Sequence, residues 1–325
     1  MYHCCRVKIT QSYFNLILKN YYLFEKQPKI AVAVSGGPDS MALLFLLNVW
    51  IKKNKGSLVA LIVDHKMRKD SGKEAKMVCD YLKKHKIRSK IINISKKNVL
   101  KKTMSEARQN RFLQMVRYCK KYKFLHLFVG HHNNDNIETF LLRKIAGSNF
   151  EGLRSMQHKT IINGIQILRP LLTFNKLEII RFNKSNNIEY FEDPSNDNLD
   201  YSRVTVRKFL LQESTHINNI EKDFNLIQKY YPFYKQKLFQ NFHKINIHTF
   251  NDEIVVNYKK FAMIEKEIKI KIIEIIYKFL MPRRNILRYA KVIKALDLIE
   301  KKSSITTNLA GMHINKGNFF ISFML

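Results

Sequence analysis

The segment Ser35-Gly36-Gly37-Pro38-Asp39-Ser40 constrains this chain more than any other part of its sequence. It stands between an apolar run, Ile30–Val34, and a second apolar run that begins at Met41. The two glycines allow a sharp turn whose amides can approach an anion, and Pro38 has the φ of a first helical turn. The following helix adds unpaired amides and a partial positive charge. The segment therefore predicts a strand-turn-helix unit that binds a phosphate group.

The side chains of this segment add detail to the phosphate prediction. Ser35 and Ser40 supply hydroxyl donors, whereas Asp39 is a carboxylate in a setting otherwise arranged for negative charge. A carboxylate is useful there if a metal ion or a cationic substrate group also binds; the simpler alternative is a helix N-cap after a glycine turn. The pattern is neither a Walker A loop nor Gly-x-Gly-x-x-Gly. It resembles the signature of the N-type ATP pyrophosphatases, or PP-loop proteins, which split ATP into AMP and pyrophosphate.

Positive charge dominates the composition. The 58 Lys and Arg residues against 26 Asp and Glu residues give a formal net charge of +32. Such an excess favours a polyanionic partner, because contacts from lysine and arginine to phosphates dominate nucleic-acid affinity. The alternative is drift onto solvated surface, since Lys, Asn, Ile, Phe and Tyr are all abundant, as an AT-biased genome would encode. Charge alone leaves both interpretations open.

The four cysteines indicate a reducing compartment. Cys4, Cys5, Cys79 and Cys119 form no C-x-x-C pair and have no spacing to histidine that indicates a zinc site. We therefore expect a cytoplasmic protein with neither zinc nor an iron–sulfur cluster. The longest apolar stretch, Met41–Ile51, is shorter than the about 20 residues that span a bilayer, and polar residues interrupt the N-terminus. We expect no membrane association.

From Lys29 onward, short β-branched runs alternate with amphipathic segments, which predicts an α/β fold with a doubly wound, mostly parallel sheet. The predicted strands cover 29–34, 58–63, 89–94 and 125–129. The predicted helices cover 40–53, 72–86, 104–121 and 134–145. Asn163-Gly164 between apolar runs then predicts a hairpin, followed by a helix over 176–186 and a polar break at 192–198.

Two domains are expected. Residues 1–213 form the α/β domain that contains the phosphate-binding segment, and residues 214–325 form a smaller, basic, mainly helical domain. The family resemblance described below implies that the first is a PP-loop catalytic domain and the second a tRNA-binding domain. Alternation around a turn at 315–318 predicts a short β-ribbon at its end.

Polar segments follow three of the predicted strands, at the edge where parallel sheets bind ligands. They are the glycine segment, Asp64-His65 after the second strand and His131-His132 after the fourth. In the helix that follows, Asp135 and Glu138 are three residues apart and share one face. Acids at a helix start also have a structural explanation, because they stabilise the macrodipole. We favour a binding site, because the three segments share one edge.

Six arginines are candidate contacts for phosphate or RNA. The structural alternative for Arg108 and Arg111 is a solvated basic face of a helix. For the arginines near the polar break at 192–198, which contains Asp-Pro-Ser-Asn, it is capping or bridging. Residue type alone leaves these roles open for Arg108, Arg111, Arg143, Arg169, Arg203 and Arg207.

These segments, in this order, resemble tRNA(Ile)-lysidine synthetase over about residues 29 to 210. The matching positions are Ser35–Ser40, Asp64-His65 with Arg68, Ala107-Arg108 with Arg111, His131-His132 with Asp135, Glu138-Thr139, Leu141–Arg143, Gly147-Ser148, Gly152-Leu153 with Met156, Arg169–Leu171, and 192–196 with Tyr201, Arg203 and Arg207.

The resemblance implies an ATP-dependent ligase that joins L-lysine to carbon 2 of the wobble cytidine in the isoleucine tRNA with a CAU anticodon. The cytosine oxygen is first adenylated, and the product reads AUA instead of AUG. The implied partners are this tRNA, L-lysine and ATP with Mg²⁺, and a homodimer stays open.

The resemblance also implies roles for the candidate residues. Asp39, Asp135 and Glu138 would be catalytic, with Asp39 and Asp135 as ligands of Mg²⁺. The six arginines would contact tRNA. ATP or its pyrophosphate would be bound by Ser35, Gly36, Gly37, Pro38, Asp39, Ser40, Asp64, His65 and His131.

Two positions depart from the family's pattern. Asn134 stands where the family usually has an aspartate, so Asp135 would carry any metal or amine contact there, and Val204 replaces an asparagine. We also expect a further C-terminal domain of longer relatives to be absent. The alternatives are a PP-loop tRNA thiolase, which normally needs reactive cysteines, and a catalytically silent basic tRNA-binding protein.

Overall fold

The computed structural model describes residues 8–64, 71–93, 104–191, 205–206, 209, 214–245, 247–250, 252–282 and 287–325. It divides into two compact units. The first unit is Met1–Leu142 with Ser155–Asn218, and the second is Arg143–Arg154 with Asn219–Leu325. The domain boundary near residue 213 stays a prediction.

A six-stranded, mostly parallel sheet organises the first unit. Its order is β3-β2-β1-β4-β6-β5; β1 runs parallel to both of its neighbours, and only β5 at the edge is antiparallel. The strands are β1 Lys29–Val34, β2 Ser57–Asp64, β3 Ser89–Asn93, β4 His126–Phe128, β5 Lys159–Ile162 and β6 Ile165–Leu168. The predicted α/β class is confirmed, and each predicted parallel strand is found within one residue of its expected ends.

Helices cover both faces of this sheet. In α2 the residues Met41–Leu44 are fully buried, which is why the segment reads as apolar on every side. The helices of the unit are α1 Gln11–Tyr21, α2 Pro38–Lys53, α3 Ser71–Lys84, α4 Met104–Lys121, α5 Asn133–Ile145 and α7 Lys176–Ser185; α5 continues past Leu142 into the second unit, which also contains α6 Phe150–Leu153. The predicted helices are confirmed within two residues at each end.

The hairpin predicted from Asn163-Gly164 is present. Ile162 pairs with Ile165, and the two residues between them have φ values of 50° and 83°. Positive φ at both positions is the type I′ turn that Asn-Gly favours. The hairpin returns the chain to β6 and so delivers Arg169 and the following turn to the sheet edge. The polar break at 192–198 lies outside the described residues.

The second unit contains more strand than the sequence predicts. Its sheet is antiparallel, with the order β7-β8-β11-β10-β9, so the expected short ribbon is part of a five-stranded sheet. The β7–β8 strands escape prediction because they are only 4 and 5 residues long and mix polar with apolar side chains. The elements are α8 Ser214–Lys244, which belongs to this unit from Asn219 onward, β7 Ile247–Phe250, β8 Glu253–Asn257, α9 Tyr258–Ala262, α10 Lys266–Leu280, α11 Tyr289–Lys301, β9 Ile305–Leu309, β10 Met312–Lys316 and β11 Phe320–Met324.

Each unit has its own apolar core. The first is built around β1 and α2, and the second packs α10 and α11 with the antiparallel sheet. No helix in the described part of the chain is both long enough and apolar enough to cross a membrane.

A buried polar cluster lies beside β6 in the first unit. The guanidinium of Arg169 donates through Nη1 to the carbonyl of Gln157 at 3.0 Å and to Thr160 Oγ1 at 2.9 Å. Burial lowers the pKa of Arg169 to about 10. Next to it, burial, with a smaller contribution from the charge of Arg169, lowers the pKa of His158 to about 4. The ring of His158 stacks on Tyr21 at 3.9 Å.

His158 should make the stability of the first unit depend on pH. Its imidazole has a pKa of about 6.5 when unfolded, whereas its folded pKa is about 4. Between these values the unfolded state binds more protons, so the free energy of unfolding should fall as the pH is lowered from 6.5 to 4. The expected loss is at most about 3 kcal/mol.

Urea unfolding at pH 7, 5.5 and 4.5 tests this, followed by the fluorescence of Trp50, the single tryptophan of the chain, which lies in the first unit. The loss should be smaller in His158→Asn than in the wild type. His85→Asn changes an exposed histidine of the same unit and should keep the wild-type dependence. An unchanged dependence in His158→Asn would contradict the assignment.

Candidate active site

The turn between β1 and α2 is held by its own serines. Gly36 has a φ of 87°, which a side chain would strain, and Gly37 is the N-cap of α2. The amide of Ser35 donates to Ser40 Oγ at 3.2 Å, and this hydroxyl donates to the carbonyl of Gly37 at 3.0 Å. Ser40 Oγ therefore forms hydrogen bonds with the amide of Ser35 and the carbonyl of Gly37. The first amides of α2 are not used in these contacts and stay available for an anion.

Neighbouring segments fix the turn from outside. The amide of Phe191 donates to the carbonyl of Gly36 at 3.0 Å, and Asn183 Nδ2 donates to the carbonyl of Pro38 at 2.9 Å. At Gly130, after β4, an added Cβ would lie 3.1 Å from backbone atoms of Asp39 and Ser40. The end of β4 therefore touches the first turn of α2, and little freedom is left for Asp39.

The carboxylate of Asp39 is the centre of a charged cluster. Lys176 Nζ, in the first turn of α7, donates to both of its oxygens, at 2.7 and 2.8 Å. The Nε2 atom of His132 lies 3.7 Å from Asp39 Oδ1 and 3.6 Å from Asp135 Oδ2. Asp39 and Asp135, predicted as catalytic residues from separate motifs, are thus brought together around one imidazole.

The start of α5 holds the second carboxylate. The amide of His132 donates to Asp135 Oδ2 at 3.1 Å, and the amide of Asp135 lies 3.4 Å from His132 Nδ1. These reciprocal contacts cap the helix, so the structural explanation for an acid at this position holds as well. Glu138, one turn later, is 2% exposed. Its side chain is therefore less accessible to a substrate than that of Asp135.

Asn134 has a definite contact. Its Oδ1 accepts the amide of Lys176 at 2.9 Å, so it joins the start of α5 to the start of α7. The neighbouring Asn136 makes paired contacts with the backbone of Met156, at 2.7 and 3.1 Å. The two amides therefore position backbone segments.

Two of the remaining predicted nucleotide contacts, Asp64 and His131, lie at the same sheet edge. Asp64 ends β2, is buried, and accepts a hydrogen bond from Ser71 Oγ at 2.8 Å. His131 is half-buried between β4 and α5. His65 lies outside the described residues.

The predicted tRNA-binding arginines that the structure describes belong to different elements. Arg108 and Arg111 belong to α4, where the side chain of Arg111 is half-buried. Arg143 lies in the second unit and donates to the carbonyl of Gly152 at 2.6 Å. Arg169 is only 8% exposed, so its burial does not favour the tRNA contact, which stays a prediction. Arg203 and Arg207 lie outside the described residues.

Two members of the cluster, Lys176 and His132, were not among the predicted site residues. A signal for Lys176 was present in the sequence, because Asn175 and Glu178 form a capping box that starts α7. A cation in a first helical turn opposes the helix dipole, which indicates a nearby anion. His132 was noted only as one of two adjacent histidines, and sequence alone could not tell which one meets the carboxylates.

The donor set of the cluster fits magnesium in a nucleotide complex. Among the residues that the structure describes, no group of three His, Cys, Asp or Glu side chains is arranged to hold a metal ion. Mg²⁺ with nucleotides needs only one or two carboxylates, because water and phosphate oxygens complete its shell. Asp39 and Asp135, whose oxygens lie 3.7 and 3.6 Å from His132 Nε2, supply such a pair.

Comparison with known proteins agrees with this geometry. The PP-loop domain family matches residues 6–214 of the chain. The U34-tRNA thiolase NcsA from Methanococcus maripaludis, solved with its [4Fe-4S] cluster, has a TM-score of 0.54 and 16% identity, covering 67% of this chain and 78% of that chain. At this identity the likeness shows a shared fold.

Three relatives carry the same name, tRNA(Ile)-lysidine synthase. The protein from Wolbachia pipientis wMel is 33% identical over 89% of this chain and 68% of its own length. That of Rickettsia bellii (strain OSU 85-389) is 30% identical over 89% and 67%. That of Wolbachia sp. subsp. Brugia malayi (strain TRS) is 37% identical over 62% and 46%, so the matches span from about half to two thirds of the relatives. The chain belongs to the tRNA(Ile)-lysidine synthase family of PP-loop proteins.

Proposed function

We propose that this chain ligates L-lysine to carbon 2 of the wobble cytidine in the CAU-anticodon isoleucine tRNA, using ATP, in the cytoplasm. One observation carries the proposal: Asp39, in the phosphate turn, and Asp135 both lie close to the imidazole of His132. A phosphate site next to two carboxylates suits a reaction that combines a nucleotide with an amine. The names of the relatives supply the identity of the amine and the RNA.

In the first step the cytidine oxygen attacks the α-phosphorus of ATP, and pyrophosphate leaves. The amides that follow Gly37 and the hydroxyl of Ser35 would bind the β- and γ-phosphates, where the start of α2 favours negative charge. Bound Mg²⁺, held by Asp39 and Asp135, would neutralise charge on the departing group. The turn does not need to rearrange, because its contacts are made within the protein.

In the second step the ε-nitrogen of lysine forms a bond to carbon 2. The carbon–oxygen bond breaks, AMP leaves with that oxygen, and the nitrogen loses a proton. With a free pKa near 10.4, fewer than about one in a thousand such amines are neutral at pH 7, so the site must accept protons or favour the neutral form. Asp135 is our candidate for this role, because its carboxylate is more accessible than that of Glu138, the second candidate.

The basic second unit is proposed to hold the tRNA outside the anticodon. Exposed lysines lie along α8, among them Lys222, Lys229 and Lys235. Phosphate contacts from such residues supply affinity without reading sequence. The reacting base must leave the anticodon stack, which costs least in a loop. A homodimer stays a prediction.

The thiolase alternative finds little support among the described cysteines. Cys119 is buried in α4, and burial raises the pKa of its thiol to about 12, which disfavours the reactive thiolate. Cys79 lies on α3 and contacts Ser89 Oγ at 3.2 Å. Neither residue stands at the carboxyl end of a strand, where the phosphate turn lies. Cys4 and Cys5 are outside the described residues.

Incubation with ATP, labelled lysine and the CAU isoleucine tRNA, followed by digestion to nucleosides, tests the proposal. We expect cytidine that carries lysine, with one AMP and one pyrophosphate released for each lysine joined. A thionucleoside would support the thiolase instead. Tight tRNA binding without either product would support a silent binding protein.

The role of Asp135 can be separated from ATP binding. In single turnovers from a preformed adenylated tRNA, Asp135→Asn should slow lysine transfer about 100-fold or more, the usual range for loss of an acid–base group. Asp80→Asn removes an exposed carboxylate of α3 and should keep the wild-type rate. Full transfer by Asp135→Asn would show that another group accepts the proton.

A further inference from the structure

Lys176 lies where a departing pyrophosphate would need a cation. Its Nζ is within hydrogen-bond distance of both oxygens of Asp39, and Asp39 is the second residue of α2, directly after the phosphate turn. The ammonium is therefore bound to the side chain of a residue in the first turn of α2, where the amides proposed to bind phosphate also lie. The residues of the phosphate turn, Ser35–Ser40, would bind phosphate through their amides and hydroxyls, and that chemistry does not explain why Lys176 of α7 contacts Asp39.

The ion pair between Lys176 and Asp39 is weak enough for a ligand to replace it. The side chains of Lys176 and Asp39 are 36% and 24% exposed, so solvent screens their attraction. Ion pairs that solvent can reach contribute little to stability. A polyphosphate carries more negative charge than one carboxylate and can attract the ammonium away from Asp39 without a large energetic cost.

The backbone of Lys176 is held more firmly than its side chain. Its amide donates to Asn134 Oδ1, and a capping box of Asn175 and Glu178 closes the same turn. Further along α7, the fully buried Asn183 donates to the carbonyl of Pro38. The backbone of Lys176 is thus fixed to α5 and to the phosphate turn. Its long side chain leaves Nζ able to reach either Asp39 or a ligand.

From this arrangement we infer that Lys176 contacts the pyrophosphate group of ATP and that Asn134 positions Lys176 for that contact. Before ATP binds, the ammonium neutralises Asp39; when the phosphates enter, its hydrogen bonds pass to their oxygens. Asp39 then becomes available to a cation that arrives with the substrates. The inference rests on the proposed ATP chemistry and adds a residue from outside the phosphate turn.

Calorimetric binding of magnesium pyrophosphate to the full-length chain, without tRNA or lysine, tests the role of Lys176. Lys176→Met keeps most of the length of the side chain and removes its charge, so the dissociation constant should rise about tenfold. Lys176→Arg should stay within about threefold of the wild type. Lys184→Met removes an exposed lysine near the other end of α7 and should bind as the wild type does.

Wild-type affinity in Lys176→Met would overturn the inference, as would a wild-type chain that binds no pyrophosphate. Failure of the proposed ligase function would give a different result from failure of the Lys176 inference. A chain that binds pyrophosphate through Lys176 but joins no lysine to tRNA would contradict only the ligase assignment.

The positioning role of Asn134 has its own measurement. Asn134→Ala should weaken pyrophosphate binding about threefold, whereas Asn134→Asp, which keeps an acceptor for the amide of Lys176, should bind close to the wild type. In the Lys176→Met background, Asn134→Ala should have no further effect, because residues that act through one another are not additive. Additive losses would show that Asn134 acts independently of Lys176.

Discussion

The turn between β1 and α2 can close only because two positions carry no side chain. A Cβ at Gly36 would lie 2.8 Å from Val78 Cγ2, and its φ of 87° would strain any other residue. A Cβ at Gly130 would press on the backbone of Asp39 and Ser40. With both positions open, β1, β4 and α2 meet at one point, which orients the amides of α2 and places Asp39 beside His132. The site depends on this close approach of backbones.

Electrostatic balance is the second constraint on the site. Two carboxylates beside a phosphate-binding turn repel the ligand that the turn is arranged to bind, unless cations accompany them. Lys176 provides a cation at Asp39, and His132 Nε2 lies within 3.7 Å of both acids. The position of Lys176 at a helix start is unfavourable for α7 alone. A locally unfavourable residue that serves the site is expected where function overrides local preference.

Local signals predicted the first unit well, and tertiary contacts explain what they missed. The alternation of apolar runs, the two glycines and Asn163-Gly164 act over a few residues, so the sequence contains them directly. The approach of Lys176 to Asp39 joins residues 137 apart and depends on how α7 packs on α2. Burial of Arg169 depends likewise on the hairpin that brings Thr160 to it. The short strands of the second unit are recognisable only once paired, since strand preference reflects neighbours.

The hydrogen bond of Asn134 explains how this chain can have an asparagine where the family usually has an aspartate. Read from the sequence, this exchange removes a carboxylate from the motif and weakens the expected metal site. In the structure Asn134 Oδ1 accepts the amide of Lys176, a task that an amide oxygen and a carboxylate oxygen perform equally well. The residue therefore keeps its hydrogen bond while it removes one negative charge near Asp39 and Asp135. Less negative charge therefore remains to repel the phosphates of ATP when they approach Asp39 and Asp135.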